Sequence, residues 1–470
     1  MTRKRVVIVG ALGMDFHTFN TVFRDNDDYA VVAFTMASEQ NLGTTDSGTP
    51  KYPPELAGRL YPEGIPIYQE AELERIVKEK GIDEVVFAYS DVSYNEVMRK
   101  ASRSLSNGAN FVFVSPRFTM IRANRPVIAI DAVRTGCGKS QTSRKVTRML
   151  KENGMKVVAI REPMPYGNLA DQKCMRFETH EDLEKHNCTI EEREEYEPYI
   201  EEGLVVYAGV DYGAILEEAE KEADVIVWDG GNNEVPFYVP DVHIVVADPL
   251  RAGHELLYHP GEVNARMADY IIINKENSAK KEDIEKVEKN IRSINPSARI
   301  IHADSKITME DPGKVKGKKV LIVEDGPTLT HGEMAFGAGF VAAKSLGCRI
   351  IDPRPFLTGS LKEVFRKFPN LGKVLPAMGY NRKQLEELEQ TIKKSDCDAV
   401  IAGTPIDLSR VIKPGKPVER VKYELEEKGE ITLKEVLEDF LEKAKGKAKH
   451  EIPQEPDPKP AHDSIFRKPF

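Results

Sequence analysis

The chain has 470 residues, of which 40% are hydrophobic and 30% charged, and its formal net charge is −9. This length exceeds what one hydrophobic core fills, so we expect about three domains. The composition excludes a mostly disordered chain, a collagen-like chain and a disulfide-stapled miniprotein. Its apolar runs are far shorter than the roughly 20 residues of a membrane helix, and residues 1–5 lead directly into a strand. We therefore expect neither a membrane span nor a signal peptide.

The five cysteines are scattered, without a CxxC pair or a histidine at zinc-ligand spacing, which predicts a protein of the reducing cytoplasm. Glutamine is scarce beside abundant lysine and glutamate, a bias typical of a thermophile's charged surface. Residues 181–202 carry ten acids against two bases, whereas residues 117–151 carry nine bases against one acid. The basic segment predicts a local field for anionic ligands, or alternatively a solvated helix face. Basic and aromatic residues do not alternate elsewhere, so we expect no nucleic-acid partner.

The first unit alternates short apolar runs with amphipathic stretches, the pattern of a parallel sheet with crossover helices. Its strands are predicted at residues 5–9, 29–34, 84–88 and 110–114. The turn at residues 10–15 lacks the full GxGxxG, and no acid ends the second strand where a dinucleotide ribose would bind. We predict a degenerate or repurposed Rossmann-like domain over residues 1–122.

Two further α/β units follow. The second has predicted strands at residues 126–131, 156–160, 224–229, 243–247, 270–274 and 298–303. After a break at residues 311–314, the third has strands near residues 320–323, 349–351 and 399–402. The predicted domains are 123–312, with a mostly parallel sheet, and 313–445. The proline-rich tail, 446–470, is expected to be disordered or to lie along a neighbouring subunit.

The most specific motif follows the strand at residues 126–131 and leads into a helix predicted to open near Lys139. Its residues are Arg134, Thr135, Gly136, Cys137, Gly138, Lys139, Ser140 and Gln141. A GKS sequence at such a junction offers backbone N–H groups and a lysine to phosphates, and a serine hydroxyl to Mg²⁺. It predicts a P-loop NTPase domain; the alternative is a helix start that binds no nucleotide.

This loop departs from the standard form, because Val133 stands where the first glycine is usual. It is similar to the variant loop KGGxGK[ST] of dethiobiotin synthetase and the MinD-like ATPases, with Arg134 for the signature lysine and Thr135 for the first glycine. Arg134 is accordingly expected at a phosphate, in its own chain or across a dimer interface.

Two more strand ends extend the predicted nucleotide site. Asp229 ends an apolar strand before two glycines and is expected to hold Mg²⁺ directly or through water. Asn274, Lys275 and Asn277 resemble the GTPase motif NKxD, with Asn277 replacing the aspartate that reads guanine. This replacement leaves ATP and GTP both open. Residues 302–305 would form the last base-contacting loop.

Polar residues beyond the needs of a simple nucleotide switch predict a reacting substrate. Arg251 is a candidate clamp for a phosphate or carboxylate, and His254 or His259 a candidate base or charge stabiliser. In the third unit, His331 and Glu333 are catalytic candidates within the glycine-rich residues 324–339, which predict a second anion cradle or a structural turn. Residues 161–167, 232–234 and 404–407 are expected near the same substrate.

Together, RTGCGKSQ, VIVWDGGNN, DPLRAGHE, HPGE, NKEN and VEDGPTLTHGEMAFGAG resemble an archaeal and bacterial family of predicted P-loop GTPases related to cyclic 2,3-diphosphoglycerate synthetase. The resemblance runs to residue 445. It implies an ATP-dependent ligase that phosphorylates 2,3-bisphosphoglycerate and closes it to a cyclic diphosphate, releasing ADP and phosphate. It also implies Lys139 and Ser140 at nucleotide phosphates and Mg²⁺, Asp229 at the metal, and Arg251, His254 and His331 at the substrate anion.

The residues alone fit any acid-activating ligase or kinase, because phosphoryl transfer mainly needs positioning and charge stabilisation. We predict a Mg²⁺-dependent ligase of the cytoplasm, homodimeric, that consumes ATP or GTP and acts on a small phosphorylated acid. One alternative is a GTPase-type switch or cofactor-delivery chaperone, which would hydrolyse nucleotide without any acid substrate. Another is a dinucleotide-dependent enzyme using the first domain, which tight NADH binding would indicate.

Overall fold

The computed structural model describes residues 3–10, 13–37, 50–162, 168–230, 234–330, 332–377 and 382–447, with side chains to residue 444. Over these residues the chain is an α/β protein built on large, mostly parallel sheets, as predicted. Within them, no helix is both long and apolar enough to cross a membrane.

The first unit is a parallel sheet with helical crossovers, in agreement with the alternation in the sequence. Its strands are β1 (Lys4–Gly10), β2 (Tyr29–Met36), β3 (Lys51–Tyr52), β4 (Ile65–Gln69), β5 (Glu84–Ala88), β6 (Val92–Ser93) and β7 (Asn110–Phe113). Its helices are α1 (Met14–Thr18), which a π-helical turn at Phe19–Phe23 extends, α2 (Pro54–Ala57), α3 (Leu73–Glu79), α4 (Tyr94–Ser106) and α5 (Pro116–Thr119). The order in the sheet is β3-β4-β2-β1-β5-β7, and only β3 and β4 pair antiparallel among these described strands.

The second unit carries the predicted phosphate loop. Its strands are β8 (Val127–Ala132), β9 (Val157–Arg161), β10 (Met175–Phe177), β11 (Val205–Ala208), β12 (Val225–Asp229), β13 (Val242–Ala247), β14 (Tyr258–His259), β15 (Tyr270–Ile273) and β16 (Arg299–Met309). Its helices are α6 (Lys139–Glu152), α7 (His180–Lys185), α8 (Ile190–Glu201), α9 (Tyr212–Glu222), α10 (Gly261–Met267) and α11 (Lys281–Ile294). The short strand β14 pairs with β6 of the first unit.

The third unit continues the sheet of the second. Its strands are β17 (Lys319–Asp325), β18 (Arg349–Ile350), β19 (Leu375–Ala377), β20 (Ala399–Gly403) and β21 (Val418–Lys428). Its helices are α12 (Gly326–Thr330), α13 (Ala338–Ser345), α14 (Leu361–Lys367), α15 (Arg382–Lys394), α16 (Leu408–Val411) and α17 (Leu433–Lys447). The strand order over the described residues is β10-β11-β9-β12-β8-β13-β15-β16-β21-β20-β17-β18, with β19 beside β17.

The two units join through β16 and β21, which pair antiparallel from His302–Lys428 to Met309–Val421. This pairing explains why β16 extends beyond the predicted strand at residues 298–303. It also reverses the strand direction of the third unit, yet the carboxyl ends of β8 and β17 line one cavity. The predicted domain boundaries at residues 122 and 312 stay predictions.

The core lies on both faces of the central sheet. Alternate residues of β8 separate into two apolar clusters, with Ile128 and Ile130 in one and Val127 and Ala129 in the other. The second cluster also contains residues of the first unit, including Ile8. Burial on both faces is typical of parallel strands covered by helices. The first unit is thereby packed against the unit that holds the phosphate loop.

Candidate functional site

The predicted phosphate loop joins β8 to α6, which begins at Lys139 as expected. Gly136 and Gly138 have φ of 81° and 110°, a left-handed conformation that glycine adopts without steric cost. A Cβ on Gly138 would also collide with the Asn274 and Gln141 side chains. No side chain caps the start of α6 at Gly138, so the first N–H groups of the helix remain for an anionic ligand.

The NKEN sequence stabilises this loop through hydrogen bonds to its backbone carbonyl groups. Asn274 Nδ2 donates to the Cys137 carbonyl oxygen at 2.9 Å, and Lys275 donates to the Gly136 carbonyl oxygen. Asn277 instead bonds the backbone of Ser305, donating to its carbonyl at 3.0 Å and accepting from its N–H at 3.2 Å. Both polar ends of the Asn277 amide are therefore used within the protein.

Asp229, at the end of β12, lies at the centre of a buried network. Its Oδ1 accepts from Lys139 Nζ at 2.7 Å and from Ser143 Oγ at 2.8 Å. Its Oδ2 accepts from the Tyr199 hydroxyl at 2.6 Å and from Arg161. Burial alone would raise the pKa of Asp229, but the positive charges of Arg161 and Lys139 lower it below its usual value. Asp229 is thus ionised, and Lys139 must leave it to reach a phosphate.

Mg²⁺ prefers oxygen ligands, and the Ser140 hydroxyl lines the cavity beside the phosphate loop. Both carboxylate oxygens of Asp229 already accept from protein donors, so its predicted contact with Mg²⁺, directly or through water, stays a prediction. Across the described ranges, no three or more His, Cys, Asp or Glu side chains are grouped to hold a metal ion. The residues therefore fit a Mg²⁺ ion that arrives with nucleotide phosphates and keeps water ligands. They do not form a metal site complete in itself.

Arg134 is enclosed by side chains of its own chain and is 1% exposed. Its Nε donates to Asp91 Oδ1 at 2.6 Å, its Nη1 lies 2.7 Å from His254 Nδ1, and its guanidinium stacks 3.5 Å from the centre of the Tyr258 ring. Asp91 Oδ2 also accepts from the Thr135 N–H at 3.3 Å. The first unit thus holds the entrance of the phosphate loop through Asp91. The predicted contact of Arg134 with a phosphate stays a prediction.

The two candidate histidines are shielded from water. Burial, followed by the charges of Arg134 and Arg251, lowers the pKa of His254 to about 4. Burial likewise lowers the pKa of His259 to about 4, and its ring packs 5.1 Å from that of Phe113 in the first unit. Both histidines are therefore neutral at neutral pH.

Arg251 connects the phosphate loop to the third unit. Its Nη1 donates to the Gly332 carbonyl at 2.7 Å, and its Nη2 donates to Asp248 Oδ2 at 3.1 Å and to Cys137 Sγ at 3.4 Å. Burial raises the pKa of the Cys137 thiol to about 11. Arg251 therefore braces the loop in this arrangement.

The remaining catalytic candidates follow in the third unit. Glu333, whose side chain is 58% exposed, accepts from the Tyr258 hydroxyl at 3.3 Å and lies 3.6 Å from Arg134 Nη2. His331 lies outside the described residues, as do residues 163–167, 232 and 233. Glu333 thus lies at the exposed edge of the side chains that surround Arg134.

The second anion cradle predicted in the third unit is present, but the protein's own Glu324 occupies it. The carboxylate accepts from the backbone N–H groups of Gly337 at 3.1 Å, Gly339 at 3.2 Å and Phe340 at 2.8 Å. Burial raises the pKa of Glu324 to about 8, against the effect of these donors. The expectation that this cradle takes a substrate anion is therefore wrong, because an internal carboxylate fills it.

The glycine turn after β1 is closed in the same way. Asp15 Oδ1 accepts from the Gly13 N–H at 2.7 Å, and a Cβ on Gly10 would collide with the Asp15 side chain. An internal carboxylate thus stands where a dinucleotide pyrophosphate would bind. This supports a repurposed Rossmann-like domain.

One cavity lies between the phosphate loop, α8 and the strand ends of the third unit. Its lining contains the polar residues Lys139, Ser140 and Lys275 of the phosphate-loop side and four acidic residues, Glu194, Glu195, Glu324 and Asp325, which we call the acidic wall. Apolar side chains complete the lining, among them Leu250, Met334, Phe336, Val341, Pro405 and Tyr423. The cavity therefore combines cations and N–H groups with acids.

The acidic wall was missed from the sequence. Residues 181–202 look like a solvated charged helix, but α8 buries Glu191, Glu194 and Glu197. The available signal was their spacing of three residues, which places them on one helical face. Arg161 and Tyr199 were also not recognised as partners of Asp229, because only the fold brings them together.

Comparison with known proteins identifies the family. The profile of the P-loop domain of cyclic 2,3-diphosphoglycerate synthetase matches residues 201–303. Arginine synthetase ArcE of Thermococcus kodakarensis is 60% identical over 439 residues, which cover 93% of this chain and 97% of that protein. Cyclic 2,3-diphosphoglycerate synthetase of Thermococcus sibiricus is 24% identical over 287 residues, covering 55% of this chain and 64% of that protein.

The solved structure of LpxK from Aquifex aeolicus with ATP superposes with a TM-score of 0.40 and 11% sequence identity, over 69% of this chain and 90% of that one. This similarity is too distant to assign a function. The relative from Thermococcus kodakarensis, by contrast, spans nearly the whole of both chains. The chain therefore belongs to the family of P-loop synthetases that contains arginine synthetase and, more distantly, cyclic 2,3-diphosphoglycerate synthetase, and it is an enzyme of the ligase type.

Proposed function

We propose that the enzyme uses ATP and Mg²⁺ to make arginine from citrulline and ammonia, releasing ADP and phosphate. Citrulline carries a ureido group where arginine carries a guanidinium. The observation that carries the proposal is the acidic wall, whose residues line the same cavity as the phosphate loop. The 60% identical relative that is named an arginine synthetase indicates which cationic product to test.

The acidic wall suits a cationic product and opposes a polyanion. Two like charges 4 Å apart repel by about 4 kcal/mol at an effective dielectric constant of 20. A bisphosphate in the cavity would be repelled by Asp325 and would raise the pKa values of Glu194 and Glu324 further, whereas a guanidinium would favour the ionised form of both glutamates and donate N–H bonds to them. The apolar side chains of the lining suit the three methylenes that citrulline and arginine share. This charge pattern favours arginine over a cyclic diphosphate.

The proposed reaction has two steps that balance. The ureido oxygen attacks the γ-phosphorus of ATP, so an O–P bond forms and the bond to ADP breaks. Ammonia then attacks the ureido carbon, a C–N bond forms, and the C–O bond breaks to release phosphate. The oxygen of citrulline thus leaves on phosphate, and one proton is released when ammonium is the nitrogen source.

The residues of the phosphate loop would serve the first step. Lys139 moves from Asp229 to the nucleotide phosphates, while Arg161, Tyr199 and Ser143 continue to hold Asp229. Mg²⁺ bound by Ser140 would neutralise phosphate charge. Backbone N–H groups at the start of α6 stabilise the charge that develops on the transferred group.

ATP is the proposed nucleotide because the Asn277 amide already bonds the Ser305 backbone at both ends and lacks the second acceptor oxygen of an aspartate. An aspartate in the GTPase motif instead accepts from two guanine N–H groups. We expect the enzyme to prefer ATP over GTP.

The test measures arginine by mass spectrometry after incubation with ATP or GTP, Mg²⁺, citrulline and ammonium, with Lys139→Ala as the control. Arginine that appears only with all components and the wild-type enzyme would support the proposal. A parallel arm replaces citrulline and ammonium with 2,3-bisphosphoglycerate.

Cyclic diphosphate formed in that arm, without arginine in the first, would replace the proposal with the cyclisation that the distant relatives indicate. Steady nucleotide hydrolysis without either product would indicate a partner-coupled switch. Gel filtration with light scattering, run on the same sample, tests the predicted homodimer.

A further inference from the structure

The four carboxylates of the acidic wall differ in what already neutralises them. Glu195 forms an ion pair with the buried Arg161. Glu324 is held by three backbone N–H groups. Asp325 accepts from the Thr328 N–H at 3.2 Å and from the Thr328 hydroxyl. These three carboxylates therefore have strong partners within the protein.

Glu194 is the exception. It lies on α8, is 4% exposed, and lines the cavity. Its Oε1 accepts from the Thr404 hydroxyl at 2.5 Å. Its Oε2 is buried without a donor among the described residues, and the carboxyl is close enough to that of Asp325 to share a hydrogen bond when it is protonated. A buried carboxylate oxygen without a donor is costly, so such an atom beside a cavity indicates a missing donor.

The missing donor carries positive charge. Burial, followed by the negative charge of Asp325, raises the pKa of Glu194 well above its usual value. A cation entering the cavity would offset both effects, because it would favour the ionised carboxylate and supply N–H donors. An anion would be repelled by the same pair of residues.

We infer that Glu194 binds the attacking nitrogen as an ammonium ion or primary amine through Oε2 and accepts its proton. This inference rests on the proposed function, because it assigns the second substrate of that reaction. An ammonium ion has no lone pair, so it must lose a proton before it attacks carbon. The ionised Glu194 carboxylate accepts this proton, the ammonia so formed then makes the C–N bond, and the carboxyl later returns the proton to water. The negative charge of Asp325 raises the pKa of this carboxyl and so makes it a better proton acceptor.

The test is steady-state kinetics of arginine formation at varied ammonium, with saturating ATP and citrulline, for Glu194→Gln against the wild type. The glutamine has nearly the same volume and retains an oxygen for Thr404, but it lacks the charge and the basicity. Losing one partner of a buried charged pair weakens binding by about 30-fold or more, so we expect the KM for ammonium to rise by that factor. The KM values for ATP and citrulline should stay within about 3-fold.

Glu197→Gln is the matched control. Glu197 lies one turn away on α8 and is 1% exposed. Its Oε1 is buried, has no hydrogen-bond partner in the described part of the chain and lies 4.0 Å from Arg410 Nη1. Its pKa is also raised by burial, but it does not line the cavity. If the loss of any buried α8 glutamate were enough to raise the KM for ammonium, both variants would show the same increase. We expect Glu197→Gln to keep the wild-type KM for ammonium.

The first chemical step gives a readout that does not need ammonium. Positional isotope exchange in labelled ATP, dependent on citrulline alone, should persist in Glu194→Gln because the phosphoryl transfer does not use this carboxylate. If Glu194→Gln does not fold, Thr404→Val removes the hydroxyl that orients the carboxylate and should raise the ammonium KM in the same direction.

An unchanged ammonium KM in a folded Glu194→Gln enzyme that makes arginine would overturn the assignment while the proposed function stands. A wild-type enzyme that makes no arginine would overturn the proposed function, and the assignment with it. If Glu194→Gln lost both the isotope exchange and the use of ammonium, the assignment would also be refuted, because Glu194 would then be needed for the phosphoryl transfer that precedes amine binding.

Discussion

Replacing Asp91 with asparagine tests whether the first unit holds the phosphate loop in its active shape. Asp91 bonds both Arg134 and the Thr135 N–H, and the ion pair is nearly dry, with side chains 6% and 2% exposed. Asp91 has φ of 56°, a left-handed conformation that asparagine also tolerates. The substitution therefore removes the charge with little change of backbone strain.

The expected cost follows from burial. Removing one partner of a buried ion pair costs about 3–5 kcal/mol. Asparagine keeps one acceptor oxygen, so we expect the lower end of this range, about 3 kcal/mol. Since about 1.4 kcal/mol is a factor of ten, local opening of the loop should increase by about two powers of ten.

Native-state hydrogen exchange of the peptide containing Thr135 measures this opening directly, without requiring two-state unfolding of a multidomain chain. The matched control is Glu333→Gln, because Glu333 also faces Arg134 but is 58% exposed and 3.6 Å away. Exposed pairs contribute about 1 kcal/mol or less, so exchange in that variant should change by no more than about 5-fold. Equal exchange in wild type and Asp91→Asn would refute the reasoning.

Three further substitutions test the network behind the phosphate loop. Lys139→Ala should lower nucleotide turnover at least about 100-fold, because the lysine is expected to stabilise phosphate charge. The circular dichroism spectrum should not change, because Arg161 still holds Asp229. Full activity of the variant would remove the loop from the mechanism. Arg251→Ala should raise the KM for ATP and for the second substrate alike, since Arg251 holds the phosphate loop in place. The role expected from the sequence, a clamp on the substrate anion, implies a larger effect on the second substrate. A rise in KM for that substrate only would therefore support the clamp. Folding lowers the pKa of Asp229, so its carboxylate stabilises the protein above about pH 4 and less below it. Urea titrations of Asp229→Asn and wild type should therefore differ at pH 7 and converge as the pH falls below about 4; a constant difference would contradict this.

The sequence was sufficient to predict the loop and helix start expected at a phosphate, because this motif depends on local geometry. The glycines, Lys139 and Ser140 lie on consecutive turns of one strand–helix junction, and the helix starts at the predicted residue. The parallel α/β class followed from the alternation of apolar strands and amphipathic helices, which reflects burial on both faces of a sheet.

The sequence also predicted the glycine-rich cradle of the third unit, but it did not reveal the occupant. Glu324 lies 13 residues before Gly337, and only the packing of α13 against β17 brings its carboxylate to those N–H groups. A glycine-rich turn at a helix start has the same sequence pattern whether a ligand or an internal acid binds its backbone N–H groups.

The charges around the proposed site of the second substrate depend on the tertiary structure. Arg251 and His254 suggested an anion as long as they were considered separately, but the fold pairs them with Asp248 and Arg134. The pairing of β16 with β21 joins the third unit to the second, and the carboxyl end of β17 and Glu194 of α8 line the same cavity as the phosphate loop. The sequence by itself predicted where a phosphate binds, because backbone N–H groups are local. Only the tertiary structure decided the charge that faces it, because the net field of a cavity is a sum over residues distant along the chain.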